Sequence, residues 1–202
     1  LKVLNDLLLA DNKAYASFEE LLAAYKTSFA GELRSVVHDI DFDCSPLFTL
    51  FFDDCIRREK DFTQGGAIYA YHGAQVVGLP NAINALLNVK GIVFERRLYT
   101  LDDCRAAMRS NFAGYEDLYS MLLATGKKYG STDAEVITLT NDLMAFVGEI
   151  MSTCTCNGEK IKVGFSSPAY VNLAKQVGAS LDGRKAGEPF AVHISPISSA
   201  ID

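Results

Sequence analysis

The chain is 202 residues long, 49% hydrophobic and 22% charged, with a formal net charge of -6, 15 glycines and 5 prolines. That length buries a sizeable core without disulfide or metal staples, and the composition excludes a disordered or collagenous chain. A negative balance without clustered Lys and Arg argues against nucleic acid or an anionic membrane surface as a partner.

No window approaches the roughly 18 apolar residues of a membrane span, and the amino end lacks the basic-then-apolar order of a signal peptide. A soluble, cytoplasmic protein is expected. The start at Leu1 rather than Met suggests a piece of a longer polypeptide. The cysteines, Cys44, Cys55, Cys104, Cys154 and Cys156, are odd in number and irregular in spacing, which reads as reduced thiols. Cys154 and Cys156 form a Cys-x-Cys pair, but no second pair or histidine at zinc spacing completes four ligands. The other reading is a connection turning at Asn157 and Gly158.

In chain order, Ser17 and Glu20 form a capping box ahead of Phe18, Leu21, Leu22, Tyr25 and Phe29, which predicts an amphipathic helix to about His38. Ser45 and Pro46 signal another start, and residues 47–56 are so apolar that their helix is expected to be mostly buried. Residues 65–73, small and aromatic between glycines, read as a buried strand whose opening Gly65 and Gly66 admit close approach of a backbone or ligand. From Asn81, Ile83, Leu86, Val89, Ile92 and Val93 predict a helix packed on one face. Thr100 with Asp103 caps a helix carrying Leu101, Cys104 and Met108, and Gly114 separates it from one through Leu118, Met121 and Leu122. Thr132 and Glu135 form a third capping box before Val136, Leu139, Leu143, Phe146 and Ile150. Residues 161–167 read as a strand, 178–189 as turns, and the last dozen as loop with a short strand. Two strands so far apart do not make a stable sheet alone, so both are expected to belong to a larger sheet or barrel.

No dinucleotide, P-loop, zincin or nucleophile-elbow signature occurs. His38, His72 and His193 are dispersed, and the adjacent pairs Asp53, Asp54 and Asp102, Asp103 point about 100° apart on a helix instead of converging. Asp182, Gly183, Arg184 is the strongest local signal of a tight turn. Its arginine either binds an anion beside backbone N–H groups or ties the turn to carbonyls.

Several segments in order carry a resemblance: Asp54, Cys55, Ile56 followed by Gly65, Gly66, Ala67, Ile68, Tyr69; Gly78 and a helix ending Ile92, Val93, Phe94, Glu95; Asn111, Phe112, Ala113, Gly114, Tyr115, Glu116; Lys128, Tyr129, Gly130, Ser131, Thr132, Asp133; and Gly178 through Asp182, Gly183, Arg184, Lys185, Ala186, Gly187, Glu188, Pro189 to Ser195, Pro196. The chain resembles the pyruvate formate-lyase domain of the glycyl radical enzymes over nearly its whole length. The resemblance implies an α/β fold, part of a ten-stranded barrel built from two five-stranded halves and mostly helical within this segment, with no second domain in residues 1–202. It implies a lyase, dehydratase or decarboxylase acting by radical chemistry on a small organic substrate. It further implies a glycyl radical in the parent, installed by an S-adenosylmethionine and iron–sulfur activating enzyme, and a homodimeric parent. This chain has no Gly-Cys-x-Glu loop and no radical-glycine loop, so it falls between the two, supplies no catalytic residue, cofactor or metal ligand, and is expected to be inactive alone. It departs from the family at Ala70, where Asn is usual, and at Asn84, Ala85, where Asp-Ser is usual. Matched through Asp182, Gly183, Arg184, the strand holding Phe165 and Ser167 corresponds to one lining the substrate cavity, with Phe165 alternatively a packing residue. His72 is a third substrate-binding candidate if its face, shared with Ile68 and Ala70, points inward. The competing reading is a non-catalytic helical scaffold or binding module derived from that barrel.

Overall fold

The computed structural model describes residues 1–10, 13–38, 43–69, 72–156, 159–165 and 167–197. Two helices open the chain, α1 (Lys2–Ala10) and α2 (Phe18–His38). The capping box acts at α2 as expected: the Glu20 amide donates to Ser17 Oγ at 3.2 Å, and the Glu20 carboxylate accepts from the Ala16 amide at 2.8 Å. Leu21 and Tyr25 of α2 are buried in one cluster with Leu4 and Leu8 of α1.

Residues 46–57 do not form the expected buried helix. They make two short ones, α3 (Pro46–Thr49) and α4 (Asp53–Arg57), with Leu47, Phe48, Leu50, Phe51 and Ile56 exposed, Phe51 to 83%. A polar hub holds this segment instead of apolar burial. Asp61 accepts from the Ser45 amide at 3.1 Å, the Thr49 hydroxyl at 2.7 Å, and the Thr63 amide at 2.9 Å and hydroxyl at 2.7 Å. Phe52 stacks on Phe62 with ring centroids 4.9 Å apart.

Gly66 also turns the chain here, since a Cβ on it would overlap the Lys60 carbonyl oxygen. The expected strand over 65–73 therefore begins late, as β1 (His72–Gln75). Ile68 and Tyr69 lie exposed in the preceding turn, and Ala70 and Tyr71 lie outside the described residues.

Next comes α5 (Leu79–Val89), buried along its entire length and continued by a π-helical turn, Lys90–Glu95. The sequence pattern predicts one packed face; the polar face is buried as well, because its asparagines bond to neighbouring backbone. Three helices follow, α6 (Leu101–Arg109), α7 (Glu116–Ala124) and α8 (Ala134–Ser152). α6 carries the expected reciprocal box between Thr100 and Asp103. The cap of α8 is displaced by one residue: Asp133 accepts from the Glu135 amide at 2.8 Å, while the Glu135 carboxylate pairs with Lys90 and Lys127. Arg105, which the periodicity does not single out, is 2% exposed and donates to the Leu8 carbonyl at 2.7 Å and the Lys13 carbonyl at 2.6 Å, locking α6 to the end of α1.

The chain then enters β2 (Thr155–Cys156) and β3 (Glu159–Gly164), and the sheet order is β1-β3-β2. β2 is antiparallel to β3; the turn expected at Asn157 and Gly158 between them lies outside the described residues. β1 and β3 run parallel, with the α5–α8 layer as their crossover. After the short α9 (Tyr170–Ala174) the chain is loop, and among the described residues no terminal strand forms. Its backbone groups close turns instead, as in Gly183 N–H to Ser180 at 3.0 Å and Ser195 N–H to Val192 at 2.9 Å. The main core joins α1, α2 and α5–α8 to Leu181 and Phe190, and a second cluster of Val147, Ile150 and Met151 seats α8 on Ile161 of β3.

Candidate functional site

Parallel pairing sets His72 against Ile161, Gly73 against Lys162, Ala74 against Val163 and Gln75 against Gly164. Cross-strand partners share a face. Ala74, Val76, Ile161 and Val163 pack on the cluster that includes α8, so one face of the strand pair is sealed by helices. The other carries Gly73, Gln75, Lys162 and Gly164, and the first three of these are exposed.

Phe165 follows β3 at a bend, half-buried, and packs against both core clusters. Two residues on, Ser167 Oγ accepts from the Ala169 amide at 3.2 Å and turns the chain into α9. Both stand at the carboxyl end of β3, the end at which parallel α/β sheets place their ligands. His72 does not join them. Its partner Ile161 precedes Phe165 by four residues, about 13 Å at ~3.3 Å per residue, and its face is the helix-covered one. His72 thus stands on the face that Ala74, Ile161 and Val163 share, away from the carboxyl end of β3.

The Asp182, Gly183, Arg184 turn resolves the two readings of its arginine. Nη1 donates to the carbonyls of Lys185 at 3.0 Å and Glu188 at 2.9 Å, Nη2 to those of Val177 at 3.1 Å and Gly178, and Nε to Ser180 Oγ at 3.2 Å. With its N–H groups engaged in this way, Arg184 is a clamp rather than an anion receptor. Burial lowers its pKa, opposed by the charges of Asp182 and Glu188. Around it, Ser180 donates to Asp182 Oδ1 at 2.5 Å and Asn81 donates to Asp182 Oδ2 at 2.6 Å. Asn81 Oδ1 accepts from the Ala191 amide at 2.8 Å. Asn84 accepts from the Tyr129 amide at 2.7 Å, and Asn88 donates to the Leu181 carbonyl at 2.7 Å. The sequence signal for this network is the spacing of Asn81, Asn84 and Asn88 on one stripe of an otherwise apolar helix. Gly183 has φ +90°, and a Cβ there would lie 2.7 Å from Leu123 Cδ2.

Among the described residues no group of His, Cys, Asp or Glu is placed to hold a metal ion. Burial pushes the Cys104 thiol up to about 12, and Cys55, Cys154 and Cys156 are also buried. Two recesses of about 510 Å³ each lie in the helical layer, one beside Tyr15, Phe94 and Tyr99 and the other beside Lys90, Lys127 and Glu135. Neither meets the strand ends. Among the described residues no helix is long and apolar enough to cross a membrane.

A parallel strand pair sealed by helices on one face and exposed on the other is an α/β arrangement. The pyruvate formate lyase-like family profile matches residues 7–173. The chain belongs to this family of glycyl radical enzymes. It is 28% identical over 197 residues to the trans-4-hydroxy-L-proline dehydratase of Clostridioides difficile, covering 92% of this chain and 25% of that protein. To the (2S)-3-sulfopropanediol dehydratase of Klebsiella oxytoca it is 29% identical over 198 residues, 91% of this chain and 24% of the relative. Among solved structures, the protein of 1,2-propanediol dehydration in Roseburia inulinivorans superposes with a TM-score of 0.83 at 26% identity, over 98% of this chain and 29% of that one. The chain thus spans about a quarter of the length of the curated relatives it matches.

Proposed function

We propose that this chain is the part of a glycyl radical lyase that walls one side of its substrate cavity, and that the parent cleaves a C–O bond of a small hydroxylated substrate. The observation carrying this reading is the one-sided sealing of the parallel β1–β3 pair, with Phe165 and Ser167 at its carboxyl end. Dehydration is favoured over other bond cleavages because the relatives reported above are dehydratases. In this reading further strands on both edges complete the ten-stranded barrel, an S-adenosylmethionine and iron–sulfur activating enzyme installs the glycyl radical, and the parent is a cytoplasmic homodimer.

The residues of this chain do not fit the radical relay itself. Cys55, Cys104, Cys154 and Cys156 are buried, and Cys44 lies in the polar hub of residues 43–69, where Gln64 donates to its sulfur at 3.4 Å. The chain's contribution is enclosure and orientation. Phe165, packed against both core clusters, stiffens the end of β3 from the helix side. The Ser167 hydroxyl, which accepts from Ala169, keeps its proton for a substrate oxygen. The helices behind the sheet exclude water. His72 has no part in this assignment.

The test is electron paramagnetic resonance of the full-length protein after anaerobic activation, followed by turnover of hydroxylated substrates. A glycine-centred radical with release of a dehydrated product is expected. Absence of the radical under conditions that activate a related dehydratase would return the chain to the scaffold reading. Ser167→Phe is expected to impair turnover while leaving radical yield intact; unchanged turnover removes Ser167 from the site.

A further inference from the structure

The lobe of residues 46–69 turns its apolar side chains outward. Phe48, Phe51 and Tyr69 are 50%, 83% and 94% exposed, and Leu47, Leu50 and Ile56 are exposed beside them. The Phe48 ring centroid lies 6.5 Å from that of Phe51 and 5.6 Å from that of Phe52, and the Ile68 amide donates to Asp54 Oδ2 at 3.4 Å, so α3, α4 and the turn before β1 form one patch. At about 200 Å² for a fully exposed aromatic side chain, the three aromatics alone present about 450 Å², and their aliphatic neighbours take the patch past the roughly 300–600 Å² of the largest patch on an ordinary monomer. We infer that this patch is a docking face, and that its occupant is the parent's own polypeptide outside residues 1–202.

The inference rests on the proposed reading of the chain as part of a longer enzyme, and goes beyond it by naming a surface that meets the rest. Three observations choose this occupant. The chain spans about a quarter of the length of its curated relatives, so most of such a polypeptide is available to lie against the lobe. No side chain of residues 46–69 belongs to either apolar cluster of the chain, and the lobe takes its shape from the hydrogen bonds that Asp61 accepts from Ser45, Thr49 and Thr63. Polar groups satisfied inside and rings turned outward are the reverse of a water-facing surface, and they preset the face before anything covers it. Finally, the lobe leads directly into β1, an edge of the sheet order β1-β3-β2, so chain that extends the sheet beyond β1 passes beside the end of the lobe. A second copy offers no such continuity.

Hydroxyl-radical footprinting of the full-length protein, read peptide by peptide by mass spectrometry, tests this without a substitution. Phe51 and Tyr69 should be oxidised at least about tenfold more slowly than in the urea-unfolded polypeptide. Rates within about threefold of the unfolded ones would leave the patch in solvent and overturn the inference. Phe51→Asp, followed by sizing and thermal melting, separates the occupants, and Phe51→Ala is read the same way should the aspartate variant not fold. The substitution should lower the melting temperature and leave the oligomeric state unchanged. Dissociation into folded monomers would make a second copy the occupant and overturn the inference. The mass of the natural polypeptide separates the two failures: one no longer than this chain sinks the parent reading, and a longer one with an unprotected patch sinks only this inference.

Discussion

Replacing Asn81 with Ala removes both bonds that its amide makes from within α5. The side chain is 2% exposed, donates to the Asp182 carboxylate at 2.6 Å and accepts from the Ala191 amide at 2.8 Å. A hydrogen bond to a charged group contributes about 1.5–3 kcal/mol, and a buried amide left without an acceptor costs about 1–3 kcal/mol. Asn81→Ala should therefore destabilise the chain by about 3–5 kcal/mol, a large part of the roughly 5–15 kcal/mol of a whole domain. Urea unfolding followed by circular dichroism reads the difference. Asn81→Leu separates hydrogen bonding from volume: it refills the space but leaves both partners unmet, so it should not rescue stability. Asn172→Ala, on the exposed side of α9, is the control and should stay within about 0.5 kcal/mol of the parent. A loss below about 1 kcal/mol for Asn81→Ala, or full rescue by Leu, would refute the view that these bonds tie the loop to the core.

Gly183→Ala should cost about 2–4 kcal/mol by the same assay, from left-handed strain plus the 2.7 Å approach to Leu123, while Gly187→Ala, at φ +77° with open space around it, should cost only the strain of about 1–2 kcal/mol. Equal losses at the two would remove the Leu123 contact from the account. Hydrogen bonds from Thr63 first, then from Thr49 and the Ser45 amide, hold the Asp61 carboxyl at about 2, below its ordinary 3.8. A depressed folded pKa means that this stabilisation is fully present above about pH 4 and disappears as pH falls through about 2. Asp61→Ala should therefore speed hydrogen exchange across residues 43–69 at pH 6 and change little at pH 2; an equal effect at both would show that the carboxylate charge is irrelevant. Cys44 is exposed and Cys104 is buried with its thiol pushed up to about 12, so an aromatic disulfide reagent at pH 8 should label Cys44 in the folded chain and Cys104 only on unfolding. Comparable labelling rates would contradict the burial of Cys104.

Signals that act within one helical turn were legible in the sequence. Ser17 with Glu20 and Thr100 with Asp103 cap where their spacing places them, because both partners of each bond lie a few residues apart. Features set by distant partners were not. Residues 47–56 carry the apolar content of a buried helix, yet Asp61 folds them back on themselves and leaves Phe51 and Leu47 in solvent, a result no periodicity encodes. Asn81, Asn84 and Asn88 made α5 look one-sided because asparagine counts as polar until its partners, 45 to 110 residues away, are known. At the site, the sequence places Phe165 and Ser167 within a strand over 161–167, whereas β3 ends at Gly164 and both residues follow it. The separation of His72 from them was not legible, because it depends on where Gly66 ends the preceding turn and on the register of β1 against β3.

The buried network and the strand ends are mechanically one unit. Asn81 fixes Asp182 from α5, Asp182 takes the Ser180 hydroxyl, and Ser180 receives Arg184, whose guanidinium pins the carbonyls of Val177 and Gly178. Arg184 also lies 5.2 Å from the ring centre of Phe190, whose amide donates to the Tyr170 carbonyl at 3.3 Å. Tyr170 opens α9, three residues after Ser167. Each of these bonds is short-range, yet together they connect the middle of the helical layer to the bend that carries Phe165 and Ser167. Several buried polar groups are expensive to satisfy, and a stable core alone would be built more simply from apolar residues. Under the proposed function their cost is understandable, since the orientation of a bound substrate is sensitive to displacements near 1 Å. The Asp182, Gly183, Arg184 turn thereby braces α9 and the end of β3, which under the proposed function is the wall that orients the substrate.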